Sequence, residues 1–191
     1  MTPSIETKCA PVNATRRLRR SAADGAEVLR YATVQSPLGC VLVARSENGV
    51  RAILLGDNAR TLVEDLQARM PSAKLADGDD QCSYIAAMVT AHVDDPHISL
   101  DFTLDAQGTR FQKEVWKALR AIPAGMTISY TELARQVGAP QAIRAVASTC
   151  GANPIALAVP CHRAVSKNGA LGGYRWGVER KRALLEREKR S

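Results

Sequence analysis

No stretch of this 191-residue sequence holds about 18 apolar residues in a row, so no membrane-spanning helix is expected. The N-terminus has no apolar block ahead of a cleavage site, which argues against a signal peptide. No CxxC pair and no His/Cys cluster at ligand spacing occurs, so no metal is expected. Five cysteines stand at irregular positions: 9, 40, 82, 150 and 161. An odd count without framework spacing excludes a disulfide scaffold. It points to reduced thiols and a cytoplasmic location.

What is present begins with charge. The net charge is +7, unevenly spread. Residues 31–104 carry five Lys or Arg against ten Asp or Glu, whereas residues 105–191 carry fifteen against six. A C-terminal half so basic suits a polyanion, although solvated helix faces rich in Arg would look the same. Hydrophobic residues make up 46%, enough for a core of ordinary size.

Residues 1–27 read as a flexible tail, polar and carrying RRLRR at 16–20. From Val28 the pattern changes. VLRYATV alternates as a strand does. CVLVA (40–44) and VRAILL (50–55) flank Asn48-Gly49, a hairpin turn signal. ARTLVEDLQARM (59–70) has helical spacing and stops at Pro71. A second helix is expected over 81–93, and ISLDFTL (98–104) alternates and is expected to join the sheet. This block, 28–104, reads as a small α/β unit with an antiparallel sheet and no catalytic constellation.

Beyond Gly108 the chain turns helical. Phe111, Val115, Leu119 and Ile122 form one stripe, ended by Pro123. TELARQVG and QAIRAVASTCGAN are two short helices joined by a Gly-containing turn, with Pro140 suited to the first turn of the second. That is a helix-turn-helix candidate, though other helical hairpins share the pattern. The second helix is rich in small residues, fit for close approach to a duplex or for tight interior packing. VERKRALLEREKR closes the chain as a basic helix. Residues 105–191 therefore read as a mostly helical, winged-helix-like unit, and the whole as an α+β fold.

The chemistry concentrates in NPIALAVPCHRAV, residues 153–165. An apolar run ends in Pro160, then Cys161, His162 and Arg163 follow without a gap. A thiolate is the nucleophilic form of cysteine, and a nearby imidazole oriented by a carboxylate favours it. Adjacent residues point apart, so a bridging water would carry the proton between them. Taken alone, Cys161 also reads as a small buried hydrophobe.

FQKEVWKAL, ISYTELA, IRAVAS, NP, PCHR and GYRWG together resemble the O6-alkylguanine-DNA alkyltransferases, nearest to the C-terminal half of the bacterial Ada proteins. The resemblance runs from about residue 28 to 189. It implies DNA repair: an alkylated guanine is flipped out of duplex DNA, and a cysteine takes the alkyl group from O6 and keeps it. By position, Cys161 would be the acceptor and His162 the base. Glu188 would hold the imidazole, and Asn153 would organise the bend and the thiol. Tyr130 would press on a phosphate and offer a proton towards guanine N3. Arg144 would enter the base stack. Thr131 and Lys167 would touch the DNA backbone. Tyr174, Arg175 and Trp176 would edge the base pocket. The resemblance further implies a single-turnover reaction without a cofactor, on duplex DNA carrying O6-alkylguanine and also on O4-methylthymine, by a monomer that needs no membrane.

Departures are few. VPCHRA stands where relatives more often have IPCHRV, and GALGGY lacks a hydroxyl usual in the pocket loop. The bulk of Trp176 is expected to narrow the pocket against benzyl adducts. The methyl-sensing and activator segments of full-length Ada proteins have no counterpart in the 1–27 tail, so a transcriptional role is not expected. Arg163 could pair with a buried acid or a phosphate. Two readings compete with repair: a DNA-binding module without transfer, which Cys161 argues against, and a thiol hydrolase, for which no oxyanion-hole motif is evident.

Overall fold

The computed structural model describes residues 26–190. Residues 1–25 of the expected tail, with the basic cluster at 16–20 and Cys9, lie outside the described residues. Strands β1 (Val28–Ser36), β2 (Gly39–Arg45) and β3 (Val50–Gly56) form an antiparallel meander, with Asn48-Gly49 in the second turn. Helix α1 (Ala59–Arg69) packs on β2 and β3, and α2 (Asp80–Asp94) packs on β1 and β2. Between the helices runs β4 (Lys74–Asp77), parallel to β1. The sheet order is β3-β2-β1-β4, so the expected antiparallel sheet gains one parallel edge strand. KLAD was illegible as a strand because four residues carry too little alternation to read.

ISLDFTL does not join the sheet as a strand. Its alternation is real, since Ile98, Leu100, Phe102 and Leu104 are half-buried and their neighbours mostly exposed. Yet it pairs only at Leu104, which bridges Val50. The edge of β3 is shared. Val50 takes residues 103–105, and Ile53 takes residues 154–156: Ile53 N donates to Pro154 O at 3.0 Å, and Ala156 N donates to Ile53 O at 2.9 Å. The open edge is thus covered by two short segments instead of one long strand.

Helix α3 (Arg110–Arg120) opens with a capping box between Thr109 and Gln112 and buries Val115, Trp116 and Leu119. Helix α4 (Tyr130–Gln136) opens with a second box, Ser129 with Glu132, and α5 is Ile143–Ala152. Helix α4 ends in a Schellman motif: Gly138 has φ 71°, and Ala139 N reaches back to Ala134 O at 2.9 Å. Pro140 stands in the connecting turn and not in the first turn of α5, because the chain reaches helical geometry only at Ile143. Helices α4 and α5 pack on each other and on α3. Helix α6 (Val178–Arg190) closes the fold. Buried apolar residues form one cluster that runs from the sheet (Leu42, Ile53) through α3 (Val115, Leu119) to α5 (Val146) and α6 (Leu184). No helix among the described residues is long and apolar enough to cross a membrane.

Candidate active site

The thiol is delivered by a tightly turned segment. Asn153 ends α5, and residues 154–156 then dock on the edge of β3. Leu157 has φ 68°, the left-handed region a buried Leu rarely adopts, and Ala158 N donates across it to Ala156 O at 2.7 Å. This is a γ-turn of the strained hand, at a cost of about 1–3 kcal/mol. A second, unstrained γ-turn follows at Pro160 (φ −78°, ψ 63°), closed by Cys161 N on Val159 O at 2.8 Å. Cys161–Arg163 is then one turn of 3-10 helix. The two-residue strand Ala164–Val165 (β6) pairs in parallel with Ile128–Ser129 (β5). That pairing places Tyr130, the first residue of α4, beside the segment carrying the thiol. Neither short strand was legible in the sequence.

Asn153 is fully buried and holds this loop in shape. Its Nδ2 donates to Val159 O at 2.8 Å and Ile155 O at 3.3 Å, and lies 3.2 Å from Cys161 Sγ. Its Oδ1 accepts from Ile155 N at 2.9 Å. Cys161 is buried too. Burial pushes its thiol up to about 11, against the lowering pull of Asn153 and of the Lys181 cation. The thiol is therefore neutral at rest and needs a base.

His162, the next residue in the chain, is the candidate for that base. Its Nε2 lies 2.8 Å from Glu188 Oε1. Burial alone would raise the Glu188 carboxyl, but hydrogen bonds from His162 and Arg163 hold it down near 2. An ionised carboxylate only accepts, so Nε2 carries the hydrogen and Nδ1 carries the lone pair. Nδ1 is buried and has no protein partner. Burial lowers the imidazole pKa from its usual value, keeping the ring neutral and its lone pair open to a thiol proton. Arg163, whose partner the sequence left open, pairs with the same carboxylate: Nη2 to Oε1 at 2.8 Å and Nε to Oε2 at 3.1 Å. Gly125 N adds a further bond to Oε2 at 3.1 Å. Glu188, in the closing helix, is thus a fully satisfied buried anion.

A cavity of about 530 Å³ opens on Cys161, lined also by Tyr130, Ala147, Cys150, Ser166, Gly172, Tyr174 and Arg175. Its size suits a flat heteroaromatic ligand. Burial raises the Tyr130 hydroxyl to about 12, so it stays protonated and can donate. The Tyr174 hydroxyl is buried without a partner. Arg175 is exposed and pairs with Asp65 of α1 at 3.2 Å. Trp176 is not in the cavity wall, contrary to expectation. It is buried behind Tyr174, the rings meeting edge to face at 5.2 Å, so any effect of its bulk passes through Tyr174. Arg144 is exposed on α5, Thr131 is half-buried in the first turn of α4, and Lys167 is exposed after β6.

Two residues escaped the sequence reading. Lys181 is completely buried. Its Nζ donates to Ala164 O at 2.6 Å and to Leu171 O, and sits 5.9 Å from the Tyr130 ring centre. It lay hidden in a run of surface-looking charges, ERKR. Cys150 brings a second thiol to the cavity, but burial pushes it up to about 12 and no imidazole holds it. Among the described residues no three His, Cys, Asp or Glu side chains group as metal ligands.

Residues 110–190 match the family model described as "6-O-methylguanine DNA methyltransferase, DNA binding domain". The bifunctional transcriptional activator/DNA repair enzyme Ada of Escherichia coli is 49% identical over 160 residues, which are 84% of this chain and 45% of that protein. The chain thus spans about half the length of the Ada proteins it matches. The methylated-DNA–protein-cysteine methyltransferase of Mycobacterium tuberculosis is 41% identical over 168 residues, 85% of this chain and 93% of that protein. The crystal structure of M. tuberculosis OGT in complex with DNA superposes with a TM-score of 0.70 at 38% identity, covering 85% of this chain and 93% of that one. With that identity over nearly the whole length of such relatives, and the same fold, the chain belongs to the methylated-DNA–protein-cysteine methyltransferase family.

Proposed function

We propose that this protein repairs alkylated guanine in duplex DNA by moving the alkyl group irreversibly onto Cys161. The observation that carries the reading is a buried thiol at the floor of a base-sized cavity, backed by a neutral imidazole whose free nitrogen has no other employment. The names of its relatives, methylated-DNA–protein-cysteine methyltransferases, point the same way.

A stacked base cannot reach a buried sulfur, so the damaged nucleotide is flipped into the cavity. The Cys161 proton passes through a water to His162 Nδ1, and Glu188 stabilises the imidazolium. The sulfur attacks the alkyl carbon. The S–C bond forms as the C–O6 bond breaks, and the electron pair leaves on the guanine. Tyr130 donates its hydroxyl proton towards N3, making guanine a better leaving group. Asn153 holds the thiol in line. The product thioether has no good route to cleavage, so each molecule acts once, and no cofactor enters. O4-methylthymine presents the same alkyl–oxygen bond and is a second substrate on this chemistry.

The duplex partner meets α5. Its exposed positions are Ile143, Arg144, Ala145, Ser148, Gly151 and Ala152, a face with one cation, no anion and, beyond Ile143 in the first turn, otherwise small side chains. Such a face can lie close in a narrow groove, with Arg144 filling the vacated stack. Thr131 and Lys167 hold backbone phosphates. The protein acts as a monomer, and an acceptor thiol that must stay reduced suits the cytoplasm. The test is to follow an oligonucleotide duplex with one O6-methylguanine. Restored guanine in the presence of the protein, lost in Cys161→Ser while duplex binding persists, supports the reading. Binding by the unaltered protein without restored guanine contradicts it.

A further inference from the structure

The cavity rim, residues 171–176, has little structure of its own. Gly172 and Gly173 lie in it, Gly172 has φ 62°, and the turn that closes it ends at Gly177 with φ 96°. Its two ends are held by successive residues of α6. Lys181 takes the carbonyl of Leu171 on the thiol side. Arg180 takes the carbonyl of Trp176 with Nη1 at 2.8 Å. The same guanidinium reaches in the opposite direction with its other nitrogens. Its Nε donates to Leu38 O at 2.7 Å, in the turn between β1 and β2, and its Nη2 meets Asp57 just beyond β3. All three nitrogens are engaged and the side chain is only 19% exposed. It lies close over the β1–β2 turn: Gly39 has φ 98°, and a Cβ there would stand 2.5 Å from Gly56 O and 3.1 Å from Arg180 Nη2.

We propose that Arg180 is a positioning residue through which the N-terminal sheet fixes the rim of the base cavity. It touches neither the thiol nor the cavity. It sets where Tyr174 and Arg175 stand by tying the chain just after them to β1–β2 and to Asp57. A planar fork is needed because the three acceptors diverge, and the donors of a lysine all radiate from a single nitrogen that cannot reach all three. The sheet unit, which carries no catalytic group, thereby acts on the transfer step. This inference rests on the alkyl-transfer reading.

The test compares the full-length protein with R180Q and R180K in three measurements. The first is affinity for an undamaged duplex. The second is the limiting transfer rate from an O6-methylguanine duplex at saturation. The third is iodoacetamide labelling of each cysteine without DNA, mapped by peptide mass spectrometry. In R180Q the transfer rate should fall by about 10–100-fold, the scale of a reacting group held about an ångström out of place. Duplex affinity should hold, and Cys161 should label faster as the rim loosens. Cys82, in α2 and away from the Arg180 contacts, should label as before, which separates a loosened rim from general unfolding. R180K should fall between. Wild-type transfer rate and wild-type Cys161 labelling in R180Q would overturn the proposal, as would full rescue by R180K. Absence of transfer in the unaltered protein would instead overturn the repair reading beneath it.

Discussion

Cys161 is a weak acid where it sits. Burial holds its thiol near 11, and on the proposed mechanism the neighbouring imidazole, kept neutral by burial, accepts its proton. The sign of the pH dependence follows. Burial lowers the imidazole pKa, so His162 loses its lone pair only below its ordinary value of 6.5. The transfer rate should therefore be flat through neutral pH and drop only below that value; a rate that halves between pH 8 and 7 would contradict a neutral His162. Glu188 is held near 2, so its contribution to stability is complete above its unfolded value of 4.5 and fades as pH falls towards 2. Glu188→Gln removes the anion facing both His162 and Arg163. It should slow transfer by about 100- to 10,000-fold, the range for general-base assistance, with a stability loss of about 3–5 kcal/mol from the stranded Arg163. Single-turnover kinetics and chemical denaturation measure the two effects. At this scale the residues themselves pointed to Cys161 and His162, but Glu188 was found only through resemblance. Glu188 stands among basic residues near the end of the chain, and nothing local marks it as buried. Lys181 is hidden in the same way. Residues that act by long-range contact leave no trace in their own neighbourhood.

On the proposed reading, helix α5 is the element on which DNA binding turns. Beyond Ile143 and Arg144 its exposed side chains are small, and none is acidic, so a single bulky anion should be decisive. Ser148→Glu should weaken binding to any duplex at least tenfold, since it adds like charge against phosphate, while an exposed position leaves the melting temperature nearly unchanged. Electrophoretic mobility shift and thermal denaturation together test this; unaltered binding would place the duplex elsewhere. Helix spacing and hairpin signals were legible because they are local. Asn48-Gly49 announced the β2–β3 turn, whereas the capping box of Ser129 and Glu132 at the start of α4 went unread. What failed was pairing. ISLDFTL alternates without a partner strand, and β4, β5 and β6 are too short to show a period yet find partners across the fold. Pairing is decided by tertiary contact, and a single sequence does not display it.

The whole molecule joins an acidic N-terminal unit to a basic C-terminal one across a continuous apolar core. One core implies one cooperative transition, although both tryptophans, Trp116 and Trp176, sit in the C-terminal half. Tryptophan fluorescence and far-UV circular dichroism should give coincident melting curves, and Leu119→Ala should lower both together, by about 2–5 kcal/mol. Separated curves would mean that the sheet unit melts on its own and cannot steady the cavity rim. The basic half predicts that the logarithm of duplex affinity falls linearly with the logarithm of salt concentration, with equal slope for damaged and undamaged duplex, because phosphate contacts are common to both. The measurement that bears most directly on the central claim is peptide mass mapping after incubation with excess O6-methylguanine duplex. Two thiols line the cavity, but only Cys161 has an imidazole behind it. The predicted result is one added methyl per molecule, wholly on Cys161, with no increase on further substrate. Methylation of Cys150, more than one methyl per molecule, or an unmethylated Cys161 in protein that still binds the duplex would contradict it.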